Sequence, residues 1–168
     1  MKYAAQTSVS CESSKAEIER TVRKYGATGF ASGWKGDTIA VIQFEMGGRR
    51  ILFRLTMPDK AEFACTPIRQ TQRSARDQLA AWEQGCRQSW RALALVIKAK
   101  LEAVETGITV FEEEFLAHIV LPNGGTVGEF ILPQIAVVYK TGRMPALLPG
   151  LESERPQPLM LETKKGTG

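Results

Sequence analysis

The chain has 168 residues, 43% of them hydrophobic, with a formal net charge of +4, which suits one domain with an ordinary buried core. No run approaches the ~18 apolar residues of a membrane span. The three cysteines, Cys11, Cys65 and Cys86, show no CxxC spacing, which argues against structural zinc and for a reducing compartment.

Residues 1–12 read as a flexible N-terminus without the apolar run of a signal peptide, so a soluble, cytoplasmic chain is expected. Ser13 or Ser14 can cap a short helix through KAEIERTVRKYG, with Ile18, Val22 and Tyr25 on one side and Gly26 closing it. The period then changes to two. GFASGWKGDTIAVIQFEMGGRRILFRLTMP reads as a three-stranded antiparallel meander with turns at Gly36-Asp37 and Gly47-Gly48.

The second hairpin can be checked against itself. A two-residue loop at Gly47-Gly48 sets Met46 opposite Arg49, Phe44 opposite Ile51, Ile42 opposite Phe53 and Ala40 opposite Leu55, an apolar face except at the turn. The other face pairs Glu45 with Arg50, Gln43 with Leu52 and Val41 with Arg54. A slip of one residue destroys this pattern, which fixes the register. A two-residue turn near Gly36 would bring Phe30 and Trp34 to the second face, beside Val41, Arg50 and Arg54. A three-residue turn would send both rings to the core.

Pro58 to Gln72 reads as a connector, broken by Pro58 and Pro67. A long helix follows from Ser74 to Gly107. Ala75, Leu79, Trp82, Cys86, Trp90, Leu93, Ile97, Leu101 and Val104 repeat at three and four, the spacing of one helix face. Ser74 with Asp77 forms a weak capping box, and Gly107 suits a left-handed stop. Between Ala92 and Ile97 the helix is apolar all round, so something must cover it on every side. Cys86 lies on the apolar stripe as a small core residue.

Thr109 and Glu112 offer a second capping box for a helix through VFEEEFLAHIVL, with Phe111, Phe115 and Ile119 inward. After the turn PNGG, Thr126 and Glu129 offer a third, opening a helix that Pro133 should kink or split. HIVL and TVGEFI could instead pair as a hairpin. Residues 150–168 read as a disordered tail. The fold class is therefore α+β: a three-stranded antiparallel meander packed against a long helix, with additional C-terminal helices, in one domain over residues 13–149.

Catalytic chemistry finds little purchase. His118, the single histidine, stands four residues after Glu114, but two ligands do not hold a metal and no HExxH follows. It reads as a core-edge histidine with a hydrogen bond. The glutamates Glu102, Glu105 and Glu112 to Glu114 lack the strand-borne acid and lysine of a metal-dependent nuclease. No nucleotide-binding glycine motif is present. The expectation is a binding protein, not an enzyme, with no catalytic residue, cofactor or metal.

Charge carries the functional reading. From Arg69 to Lys100 seven cations stand against two acids, and from Leu101 to Phe130 six glutamates stand alone. Such blocks favour a polyanion site or self-association. Arg76, Arg87, Arg91 and Lys98 fall on one side of the long helix, extended by Arg69 and Arg73. With Phe30, Trp34, Arg50 and Arg54 on the sheet they would frame a groove for a single strand, the cations on phosphate and the rings stacking on bases.

At WRALALVIKAKLEAVETGI and FEEEFLAHIVLPNGGTVGEF the chain resembles small uncharacterised proteins encoded in phage and prophage genomes, over roughly residues 13–149. No functional residues come with that likeness. The order helix, three-stranded meander, long helix is also similar to the core of Rad52-like phage single-strand annealing proteins, which implies a basic groove for single-stranded DNA. The expectation is a phage-associated, oligomeric single-stranded DNA-binding protein of replication or recombination. The alternative is a non-catalytic inhibitor of a bacterial defence complex, with Glu112 to Glu114 mimicking phosphates.

Overall fold

The computed structural model describes residues 7–36 and 38–143, so the expectations for residues 1–6 and for the tail at 150–168 lie outside it. The chain divides into two compact units, Met1–Phe130 and Ile131–Gly168, where the sequence suggests one domain over 13–149.

The first unit opens with α1, Cys11–Lys24. Its cap is Ser10, whose hydroxyl accepts from the Ser13 amide at 3.0 Å; the serines expected to cap lie inside the first turn, and Cys11 and Glu12 are helical, not loose. Gly26 closes the element at φ +95°, a conformation that suits glycine. Ile18 and Val22 are buried beneath it as expected.

Three strands follow: β1, Gly29–Lys35; β2, Ile39–Met46; and β3, Arg49–Thr56. They form one antiparallel sheet in the order β1-β2-β3. Every pair expected for the second hairpin is present, from Met46 opposite Arg49 to Ala40 opposite Leu55. The first hairpin differs. Lys35 pairs with Ile39, so three residues form the loop, and Phe30 falls opposite Phe44 and Trp34 opposite Ala40. Because side chains alternate along a strand, that one extra residue moves both rings from the arginine-bearing face to the core face.

After a connector with a 3-10 turn at Lys60–Phe63, α2 runs from Ala75 to Glu105, 31 residues and roughly 46 Å at ~1.5 Å per residue. The Ser74 hydroxyl accepts from the Asp77 amide at 3.1 Å, and Gly107 ends the helix at φ +75°. Cys86, Trp90, Leu93, Ala94, Ile97 and Leu101 lie against α1 and the sheet face formed by Ala40, Ile42, Phe44, Ile51 and Phe53.

α3 is a single turn, Phe111–Phe115, passing into a 3-10 turn at Leu116–His118. Its cap position is Val110, without a side-chain cap bond, so the Thr109–Glu112 box does not form. The expected longer helix gives way because the next residues leave to guard the sheet. The Val120 amide donates to the Arg50 carbonyl at 2.8 Å, and Ile119 bridges Ile51, which covers part of the free edge of β3. Only one bridge, Val120 to Thr126, remains of the alternative hairpin.

α4, Val127–Thr141, starts with the expected reciprocal cap. The Thr126 amide donates to Glu129 Oε2 at 2.9 Å and the Glu129 amide donates to Thr126 Oγ1 at 3.2 Å. The helix runs continuously through Pro133, so the split named as one of the two expected effects does not occur; proline removes one backbone donor, and its φ is compatible with a helix. In the second unit, Leu132, Ile135, Val137 and Tyr139 are exposed. Among the described residues no helix is long and apolar enough to cross a membrane.

Candidate nucleic-acid interface

The cations expected to share a cleft do not. Arg91, half-buried on α2, is paired with Glu17 of α1. Arg54 is paired with Glu129. The Glu129 carboxyl is held below the usual glutamate range, first by the Thr126 amide; burial opposes this, and the Arg54 guanidinium adds to the lowering. Arg73 is built into the connector, its Nη1 donating to the carbonyls of Phe63 at 3.0 Å and Cys65 at 2.7 Å. These three arginines are therefore engaged in holding the fold.

Arg50 is exposed on the sheet face away from α2. With Arg49, Thr28, Gly48, Glu45, Val120 and Pro122 it lines a polar groove of about 660 Å³. Arg69, Arg76 and Lys98 are exposed, the first on the connector and the others on α2. Phe30 is half-buried and packs against the core, so it offers no stacking surface. The expected alignment of Phe30 and Trp34 beside Arg50 and Arg54 is corrected by the three-residue loop: rings and arginines stand on opposite faces of the sheet.

Two of the expected residues do come together. Trp34 and Arg87 line one cavity of about 370 Å³ with Cys11, Trp82, Cys86 and Trp90. All three tryptophans of the chain therefore face the same space. Trp34 is 62% exposed. Its ring meets Trp90 edge-on at 6.4 Å between centroids, and the Lys15 ammonium lies 4.4 Å from the Trp34 centroid and 4.9 Å from that of Trp90. Trp82 Nε1 donates to the Pro58 carbonyl at 2.9 Å, which fixes its ring. Arg87 is steadied by Gln84, whose Oε1 accepts from Nε at 2.9 Å and from Nη2 at 2.7 Å.

Sequence reasoning missed Lys15, Trp82 and Trp90 as members of this group. Trp82 and Trp90 lie two turns apart on the apolar stripe, and Lys15 lies one turn before Ile18 on the core-facing side of α1; the pattern assigns them to packing, and only the fold shows that they also border an opening.

The cavity is suited to flat, electron-rich partners. Its rim carries Lys15 and Arg87 against Glu12 and Glu83, so the formal charges of these four side chains cancel. Burial, and then the Glu12 carboxylate, push the Cys11 thiol upward, with Lys15 and Arg87 opposing. Burial, followed by Cys11 and Glu83, raises the Cys86 thiol. Both therefore stay protonated and weakly nucleophilic at neutral pH.

Elsewhere, His118 stacks on Phe53 at 3.9 Å between ring centroids, while Glu114 takes the Lys100 ammonium at 2.8 Å. Histidine and glutamate thus serve different neighbours. Among the described residues no group of three or more His, Cys, Asp or Glu is arranged to hold a metal ion. Comparison of the chain with family models, with curated proteins and with solved structures finds no match.

Proposed function

We propose that the chain binds single-stranded nucleic acid, with Trp34 as a platform on which a base stacks and Lys15 and Arg87 as the cations nearest its phosphates. The observation that carries this reading is the exposure of Trp34 within a cavity bordered by all three indoles. Large exposed rings are costly to leave in water, and stacking on one contributes about 1–3 kcal/mol per base regardless of sequence. The resemblance to phage proteins supplies the setting we propose for this activity, DNA replication or recombination.

Salt dependence separates this narrower site from the broad basic surface expected from sequence. Two phosphate contacts on a single strand give a log–log slope of about −1.4, whereas eight cations acting together give about −5.6. Tryptophan fluorescence titrated with an oligothymidylate should be quenched, with the shallow slope, and Trp34→Ala should abolish binding. Undiminished binding by Trp34→Ala, or no binding at low salt, would overturn the reading.

A further inference from the structure

Three contacts spread along α1 fix how it lies on α2. The Gln84 side chain donates to the Thr7 carbonyl at 2.9 Å just before α1 begins. Arg91 pairs with Glu17 near its middle, and the Tyr25 hydroxyl donates to the Glu102 carboxylate at its end. The partners are separated by 77, 74 and 77 residues along the chain, so the two helices run parallel in one register from end to end. Cys86 follows Cys11 by 75 residues, which sets the two cysteines level. They also stand on the facing stripes. Cys11 heads the buried series Ser14, Ile18 and Val22 of α1, and Cys86 heads Trp90, Leu93 and Ile97 of α2. Cys11 packs against the core cluster that contains Cys86, and both line the cavity beside Trp34.

We infer that Cys11 and Cys86 are a redox pair, which a low-molecular-weight disulfide such as oxidised glutathione converts to an intramolecular disulfide. Helices in contact lie about 8–10 Å apart and carry their Cα atoms about 2.3 Å from each axis. A facing pair at one level therefore falls within the roughly 4.4–6.8 Å between Cα atoms that a disulfide spans. Exposure assigns the order of attack, because Cys11 is half-buried and Cys86 is buried, and both thiols are free. The Cys11 thiolate attacks one sulfur of the small disulfide, whose S–S bond breaks, and the departing thiolate takes a proton from water. Cys86 loses its proton to water, and its sulfur then attacks Cys11 Sγ and expels the second small thiolate, which is protonated in turn. Two protein thiols are oxidised, and one small disulfide is reduced to two thiols.

Four charged side chains border the pair, Glu12 and Lys15 on α1 and Glu83 and Arg87 on α2. With burial they leave both thiols raised, so attack is slow at neutral pH. The finished bond is correspondingly hard to reduce, because a high-pKa thiolate is a poor leaving group. Oxidation ties together the helices that carry Lys15 and Trp90, the two side chains set against the Trp34 ring, and so fixes the width of the cavity.

The test uses the full chain without nucleic acid, so its outcome is independent of the proposed function. After incubation with oxidised glutathione under native conditions, titratable thiols should fall from three to one, and peptide mapping should join Cys11 to Cys86. The rate should rise about tenfold from about pH 7 to about pH 8, following the thiolate fraction. Cys65→Ala should cross-link as fast as the wild type. Cys86→Ala should stop at the mixed disulfide on Cys11, and Cys11→Ala should leave Cys86 reduced over the same time. In urea, where the register is lost, the wild type should accumulate mixed disulfides instead. Three titratable thiols after oxidation, a lasting glutathione adduct on Cys11 of the folded wild type, or a bond that involves Cys65 overturns the inference.

Discussion

Trp34 and Trp90 touch edge-on, with ring planes at 77°, but live in opposite environments. Trp90 is 1% exposed and forms part of the core, whereas Trp34 is 62% exposed. The inner ring holds the outer one upright, and Lys15 lies over both. Stability and ligand binding are therefore separable at this pair. Trp34→Ala should cost no more than about 1 kcal/mol, the scale of an exposed cation–π contact. Trp90→Ala should cost about 3–5 kcal/mol through the cavity it leaves. Urea denaturation of the two variants distinguishes them, and equal losses would contradict this division of labour.

Ser14 offers a gain. It is fully buried on α1, and its hydroxyl has no hydrogen-bond partner. An unsatisfied buried hydroxyl costs about 1–3 kcal/mol, and alanine is the better helix former by a few tenths. Ser14→Ala should raise stability by about 1–2 kcal/mol, read from the urea midpoint at constant slope. A lowered midpoint would mean that the hydroxyl is satisfied after all.

The second hairpin was legible from the sequence because its two faces differ so sharply that only one register keeps Ile42, Phe44, Ile51 and Phe53 together. The long helix was legible for the same reason, through its stripe, its serine cap and Gly107. The first hairpin was not: β1 carries Ala31, Ser32 and Gly33 between its rings, too little apolar contrast to choose between loops of two and three residues. The candidate site turned on that choice. Charge proved a poor guide to exposure, because Arg54, Arg73 and Arg91 each have a partner far along the chain or across the connector, and periodicity carries no signal for such pairings.

Arg73 tests that last point directly. One nitrogen, Nη1, donates to two carbonyls, so Arg73→Ala leaves both without their charged donor. A loss of about 1.5–3 kcal/mol follows from bonds of this type, with oligonucleotide affinity unchanged once the protein is folded. The opposite result, full stability with weakened binding, would restore Arg73 to a phosphate-contacting role.

His118 makes stability depend on pH in a defined direction. Burial, and then the Lys100 ammonium, lower its pKa from the ordinary histidine value, while a hydrogen bond to the Leu52 backbone partly opposes them. Its stacking on Phe53 suits the neutral ring. The unfolded chain therefore takes up the proton more readily than the folded one as pH falls. The contribution is fully present above the ordinary histidine range and is lost as pH drops through the lowered folded value. Urea midpoints measured from about pH 8 to about pH 5 should decline with acid in the wild type and flatten in His118→Phe, which keeps a ring against Phe53 and cannot titrate. The chain has one histidine, so its imidazole proton resonances report the folded pKa without ambiguity. Titration at or above the free-imidazole range would mean that the ring is solvated or newly paired, and the acid-side loss would then have to come from carboxylates.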